Sequence, residues 1–89
     1  MYTITPYTYQ HAAQLGVQVK PSTNKKKKID VYKNGKKIAS VGALGYGDYP
    51  TFLNTKGKAY ALKRRREYKR RHQKDRYKGN GYFADRLLW

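Results

Sequence analysis

The side chains best able to bind a charged ligand are concentrated in one stretch, residues 56–78, which carries twelve Lys and Arg against Glu67 and Asp75. Ammonium and guanidinium groups bind phosphates and carboxylates, and arginine does so through paired hydrogen bonds. A second basic stretch, residues 25–37, carries seven Lys against Asp30. With a formal net charge of +16 on 89 residues, this distribution predicts a polyanionic partner, most simply nucleic acid.

The candidate polyanion-binding residues come from both stretches. The four consecutive lysines at 25–28 also fit a solvated loop or a nuclear localisation signal, so their role stays open from sequence alone. The candidates are Lys25, Lys26, Lys27, Lys28, Lys36, Lys37, Lys63, Arg64, Arg65, Arg66, Lys69, Arg70, Arg71 and Lys74.

Catalytic chemistry is not indicated by the residues present. Arg64, Glu67 and His72 could form a nuclease-like cluster with a tyrosine, but no pair of metal-binding carboxylates accompanies them, since the chain has only five widely spaced acids. His11 and His72 lack partners at the spacing of metal ligands, and without cysteine there is neither a disulfide nor a thiolate site. We therefore expect no enzyme activity, no metal, no cofactor and no small-molecule substrate.

Most of these cations lie in a stretch whose composition predicts one basic helix over residues 58–75. It contains no Pro and no interior Gly, and consists mainly of good helix formers. On a helical wheel Ala61, Tyr68 and His72 share one side, and basic residues occupy nearly all the rest. Such a thin apolar stripe predicts a helix that needs a platform under Tyr68 or a polyanion against its other faces.

The elements before this helix predict the platform. Thr5 and Pro6 favour a helix start and Gly16 a helix stop, giving a helix over residues 5–16, followed by a short strand over 17–20. Asn34-Gly35 between alternating runs predicts a hairpin over 29–41 in which Ile29, Val31 and Ile38 share the core face. An isolated hairpin is only marginally stable in water. We therefore expect either the 17–20 strand to pair with this hairpin or the helices to pack on it.

Residues 42–50 contain three glycines, Asp48 and Pro50, and predict a turn-rich connector. It lacks the Gly-Lys-Ser/Thr ending of a nucleotide loop and is expected to lead into no immediate helix. Asp48 either bonds its own backbone or pairs with the basic helix.

Gly79-Asn80-Gly81 predicts a flexible break, followed by an apolar segment over 82–89 that forms a short docked helix or an exposed contact for a neighbouring protein. The expected core or partner anchors are Tyr46, Tyr49, Tyr68, Leu87, Leu88 and Trp89.

Together these elements predict a single small α+β domain. No run of about 18 apolar residues is present, so no membrane span is expected. The start of the chain lacks the basic and apolar regions of a signal peptide.

Several motifs occur together between residues 12 and 89: the Asn34-Gly35-Lys36-Lys37 turn, Gly-Tyr-x-Asp-Tyr at 45–49, Arg-Arg-x-x-Tyr-x-x-Arg-His at 64–72, and Leu-Leu-Trp at 87–89. In this combination the sequence resembles a family of small basic proteins encoded by nucleocytoplasmic large DNA viruses of algae and amoebae. The resemblance implies no site residues. It implies a context: a large icosahedral capsid, double-stranded DNA, an internal membrane and a eukaryotic host cell.

Three functions fit that context. A minor capsid or cement protein of the virion would contact acidic capsid proteins, lipid head groups or packaged DNA. A DNA-binding or genome-condensing protein would contact phosphates without sequence preference. A host-directed protein would use its basic runs for nuclear targeting. The resemblance and the apolar C-terminal segment favour the virion role, with the protein in the host cytoplasm or nucleus during assembly, whereas residue chemistry alone favours DNA binding.

Overall fold

A computed structural model describes residues 2–74 and 76–89. Over these residues the chain forms four helices and one three-stranded antiparallel sheet with the order β1-β2-β3, so the predicted α+β class is confirmed. In chain order the elements are α1 (Pro6–Leu15), β1 (Gln18–Pro21), β2 (Lys27–Lys33), β3 (Lys36–Ala43), α2 (Tyr49–Thr55), α3 (Lys58–Arg71) and α4 (Gly79–Leu88). Among the described residues, no helix is both long and apolar enough to cross a membrane.

The first helix begins and ends where its local chemistry predicts. The Thr5 hydroxyl accepts a hydrogen bond from the Thr8 backbone N–H at 3.4 Å, and Pro6 occupies the first helical position. Gly16 adopts the left-handed conformation with φ +72°, and its N–H bonds the Ala13 carbonyl at 3.2 Å.

The hairpin turn is as predicted, but the strand register beyond it is not. Asn34 and Gly35 have φ values of 53° and 79°, and Lys33 pairs with Lys36. A register shift beside Val31 then sets Val31 opposite Ala39 and Ile29 opposite Val41, instead of Ile38 and Ser40. The extra residue in β3 turns Ile38 outward, where it is 44% exposed, so its predicted place on the core face is wrong.

The core lies between this sheet and the helices. Ile29, Val31 and Val41 are essentially inaccessible to solvent, as are Leu87 and Leu88 from α4. Val19 pairs with Val31, so β1 is the third strand. The Thr8 hydroxyl donates to the Leu87 carbonyl at 2.8 Å and ties α1 to α4.

The last helix begins earlier than the sequence predicts. Residues 79–81, expected to be a break, form the first turn of α4, with the Tyr82 N–H bonding the Lys78 carbonyl at 3.3 Å. Burial of Leu87 and Leu88 compensates for the low helix propensity of two glycines. Trp89 is only 9% exposed, so the end of the described chain is part of the core and not an exposed contact.

A short helix, α2, follows the glycine-rich connector where no immediate helix was expected. The Asp48 carboxylate caps it by accepting the Thr51 N–H at 2.9 Å, and Pro50 lies in its first turn. Tyr49 is buried as predicted. Tyr46 is 76% exposed, so its predicted role as a core anchor is wrong.

Two buried carboxylates form hydrogen bonds to residues of the sheet and of the segments next to it. Asp48 is fully buried and accepts hydrogen bonds from the Lys28 ammonium and the Tyr2 hydroxyl, each at 2.8 Å. Of the two roles considered for Asp48, bonding to its local backbone is confirmed, and its cationic partner is Lys28 on β2 instead of a residue of the basic helix. Asp30, 1% exposed, accepts from the Ser22 and Ser40 hydroxyls at 2.6 and 2.7 Å.

Stability should fall in acid because of these two groups. Burial acts to raise the pKa of each carboxyl, but hydrogen bonds from Ser22 and Ser40 to Asp30, and from Lys28 and Thr51 to Asp48, outweigh it and hold both pKa values below the ordinary 3.8. The ionised forms therefore contribute stability that is complete above about pH 4 and is lost as the pH falls through the folded-state pKa values. Urea unfolding between pH 6 and pH 2.5 measures this loss.

The variant Asp48→Asn isolates one of the two contributions. It should be less stable than wild type at pH 6 and should lose less on acidification, so that the two stability curves converge. Parallel curves would show that Asp48 does not contribute to the acid dependence.

Candidate polyanion-binding surface

The helix that carries most of the candidate cations is α3, fourteen residues long and therefore about 21 Å. It ends at Arg71, before the predicted limit, and Gln73 and Lys74 form a turn. Residue 75, the last of the predicted helix, lies outside the described residues.

One side of α3 packs on the rest of the molecule through few apolar groups. Ala61 is fully buried, and Leu62 and Tyr68 are partly buried. The Tyr68 ring lies parallel to the Trp89 indole, with centroids 4.5 Å apart and planes 7° apart, and it stacks on His72 at 4.3 Å. Trp89 is therefore part of the platform under Tyr68.

Two arginines of α3 are oriented by aromatic rings. The Arg65 guanidinium lies over the Tyr49 ring, 4.9 Å from its centroid. Arg64 lies 5.6 Å from the Phe52 centroid, and its Nε is 3.3 Å from a carboxylate oxygen of Glu67. Because α2 supplies both Tyr49 and Phe52, the unpredicted helix is what orients these side chains.

A buried carboxylate on α4 positions two further cations. Asp85 is 3% exposed, and one of its oxygens lies 3.0 Å from the Lys69 ammonium and 3.6 Å from Arg76 Nε. Neither Asp85 nor Arg76 was among the predicted site residues. The signal available in the sequence was a single acid inside the otherwise apolar segment that follows the basic stretch.

Arg65, Lys69 and Arg76 line one groove, an open depression of about 680 Å³. Four predicted residues meet there with Arg76, and Leu62 and Gln73 complete the lining. The five cations are Arg65, Arg66, Lys69, Arg70 and Arg76. Since Lys69, Arg76 and Arg86 share the single charge of Asp85, the groove keeps a large positive excess suited to phosphate groups. We call this depression together with the exposed Lys63, Arg71 and Lys74 the α3 surface.

The lysines of the second basic stretch do not form one continuous site. Lys28 is 4% exposed and bonded to Asp48, so its predicted polyanion contact is wrong. Lys25 and Lys26 are exposed in the turn before β2, and Lys36 and Lys37 are exposed at the hairpin. Lys27 lines a cleft with His72 and Lys74, whereas the hairpin turn is six residues further along β2, about 20 Å away. The predicted residues therefore fall on at least two surfaces.

No protein-family model, characterised protein or solved structure matches this chain. The geometry of the α3 surface and the sequence resemblance therefore carry the functional argument. Among residues 2–74 and 76–89, no three His, Asp or Glu side chains are grouped as metal ligands.

Replacing Asp85 by Asn should lower stability and spare polyanion binding. The substitution leaves Lys69 and Arg76 without their buried partner, and we expect a loss of about 1–3 kcal/mol in the free energy of unfolding, because Lys69 is partly solvated. Polyanion affinity at a temperature where the variant is folded should change little, because the removal of a negative charge beside the groove offsets the lost positioning of Lys69 and Arg76. Thermal unfolding and fluorescence anisotropy measure the two effects.

Glu67→Gln is the matched control, since it makes the same change in net charge at an ion pair whose two side chains are only partly buried. Its free energy of unfolding should change by less than about 0.5 kcal/mol. Equal destabilisation by the two variants would contradict a structural role for Asp85.

Proposed function

We propose that this protein binds the sugar-phosphate backbone of double-stranded nucleic acid through the α3 surface, without sequence preference. The observation that carries the proposal is the groove in which five Lys and Arg side chains converge, three of them fixed by Tyr49 or Asp85. Cations held in place lose less side-chain entropy on binding than mobile ones, which favours affinity.

The lack of sequence preference follows from the side chains on this surface. Contacts from Lys and Arg to phosphates set the position of a protein on a duplex but carry no sequence information. Readout of adenine would need Asn or Gln, of which the groove contains only Gln73, and readout of guanine by its arginines would need α3 to enter the major groove. A duplex of any sequence therefore presents the same ligand to this surface.

The direct experiment is titration of a fluorescent random-sequence duplex with the protein across a salt series. About six phosphate contacts would give a slope of log K against log salt near −5. Submicromolar affinity with that slope at moderate salt supports the proposal. No binding near 150 mM salt would contradict it and assign the charge to an acidic protein or a lipid surface, which vesicles with anionic head groups would distinguish.

A second candidate is the virion role, in which the protein is a minor capsid or cement component of a large DNA virus. It rests on the sequence resemblance, and one structural observation favours a protein neighbour: Ile38 and Leu44 are both more than a third exposed although they are aliphatic. The burial of Leu87, Leu88 and Trp89 removes the apolar end as an argument for it. Abundance of the protein in purified particles would support this role, and its absence from them would exclude it.

A further inference from the structure

A second cleft lies between the loop of residues 42–47 and α3. Its volume is about 460 Å³. Tyr68 and Trp89 contribute aromatic surface to its lining, Arg64 and Arg71 come from α3, and Tyr46 comes from the loop. It is more enclosed and more apolar than the groove of the α3 surface, which does not share any of these five residues.

The loop holds Tyr46 out of the core. Gly45 has φ +91°, a conformation that other residues rarely adopt. A Cβ on Gly47 would collide with the Phe52 ring, so glycine is required for the loop to pass close to α2. Between these two constraints Tyr46 is 76% exposed at the cleft.

The α3 side of the cleft supplies positive charge. Arg71 is exposed, and Arg64 lies over the Phe52 ring. Arg64 Nε is buried, yet among the described residues it has no hydrogen-bond acceptor of good geometry, although Glu67 is nearby at 3.3 Å. Because Arg64 and Arg71 both line the cleft, their positive charge would attract an anion there.

We propose that this cleft binds one unpaired base of single-stranded nucleic acid, with the base stacked on Tyr46 and a flanking phosphate held by Arg64 and Arg71. The combination of aromatic rings and guanidinium groups matches the two parts of a nucleotide, since every base has a π-face and every nucleotide a phosphate. An apolar peptide would leave the guanidinium groups without a partner. This inference rests on the proposed nucleic-acid binding and adds a site for unpaired strands that shares only Arg71 with the α3 surface.

The experiment compares a short single-stranded oligonucleotide containing 2-aminopurine with a duplex of the same sequence. Wild-type protein should quench the fluorescence of the single strand as the base stacks. Tyr46→Ala should remove most of the quenching and weaken single-strand binding about tenfold, while leaving duplex affinity unchanged. Tyr46→Trp should preserve both properties, because it keeps an aromatic face.

Tyr9→Ala is the matched control, since Tyr9 is also exposed, at 52%, but lies on α1 and lines neither the cleft nor the groove. It should behave as wild type. Unchanged single-strand affinity and quenching in Tyr46→Ala would overturn the inference while duplex binding still supported the proposed function. Equal loss of duplex and single-strand binding in Tyr46→Ala would also overturn it, and wild-type protein that bound neither ligand would overturn both.

Discussion

Reversing four exposed cations of the α3 surface to Glu, at Lys63, Arg66, Arg70 and Lys74, is expected to abolish duplex binding. Four lost phosphate contacts should reduce the magnitude of the salt slope by about 3.5 and the affinity at 150 mM salt by at least about 100-fold. The set leaves out Arg65 and Lys69, which contact Tyr49 and Asp85 and so belong also to the fold. Fluorescence anisotropy across a salt series measures both quantities.

The control for this variant reverses four exposed lysines elsewhere, Lys25, Lys26, Lys33 and Lys36. Both proteins then have the same net charge. We expect the control to lose less than about tenfold in affinity and to keep its salt slope, because its changes lie on the second basic stretch. Equal losses in the two variants would show that net charge, and not the α3 surface, determines binding.

The folded state of both variants can be checked by circular dichroism. All eight substituted side chains are exposed, so the helices and the sheet should be retained. Like charges along α3 repel one another, and their partial replacement by Glu should stabilise the helix slightly. Loss of helical signal in the α3 variant would mean that these cations are structural.

The parts of the fold that could be predicted from sequence are those fixed by local chemistry. Thr5, Pro6 and Gly16 determine the ends of α1 through hydrogen bonds and backbone conformations within a few residues. Asn34 and Gly35 determine the hairpin turn in the same way. Each of these signals acts over a short distance and does not depend on what the element later packs against.

The errors concern residues whose position is decided by distant partners. Lys28 belongs to a run of four lysines that look alike in the sequence. It differs from the other three because it forms a buried ion pair with Asp48, which lies twenty residues further along the chain. Ile38 and Ala39 exchange faces because a bulge adds one residue to β3, although Ile38 is the more apolar residue. Asp48 fits both a turn and a helix N-cap, and its position directly before Tyr49-Pro50 is the local signal for the start of α2.

In the candidate site, too, the features set by local sequence could be predicted and those set by distant contacts could not. The sequence located the basic helix and most of its cations, but it did not show which of them converge. The groove requires Asp85 and Arg76, which come close to Lys69 only when α4 packs beside α3. Three of the chain's five acids, Asp30, Asp48 and Asp85, are buried against hydrogen-bond donors or cations. Few acids are therefore left on the surface to neutralise the exposed Lys and Arg side chains.

Replacing Trp89 by Ala is expected to cause the largest loss of stability of any single substitution discussed here. The indole is 9% exposed, stacks on Tyr68 and lies 6.2 Å from the Phe52 ring, so its removal opens a cavity under α3. Such substitutions cost about 3–5 kcal/mol, which in a domain of this size lowers the unfolding temperature by about 15–25 °C. Thermal unfolding followed by circular dichroism measures the change.

Trp89→Phe and Tyr9→Ala provide the comparison for that variant. Phe retains an aromatic face toward Tyr68, so it should lose less than half as much stability as Ala. Tyr9→Ala removes an exposed ring and should lower the unfolding temperature by no more than a few degrees. A shift of similarly small size in Trp89→Ala would show that the contact between Trp89 and Tyr68 does not hold α3 in place.

Stability and binding should be coupled through the same contact. Ala61 is the only fully buried residue that α3 contributes, and the outer face of this helix carries mutually repelling cations, so α3 is the element most dependent on the Tyr68 stack. A duplex that binds folded α3 and neutralises those cations should therefore restore part of the helical signal lost in Trp89→Ala, by mass action. The same addition should not change the signal of wild-type protein, whose helix is already formed. If duplex bound the variant without restoring helix, the polyanion would be recognising unstructured basic chain, and the groove built by Asp85 and Tyr49 would not be the binding site.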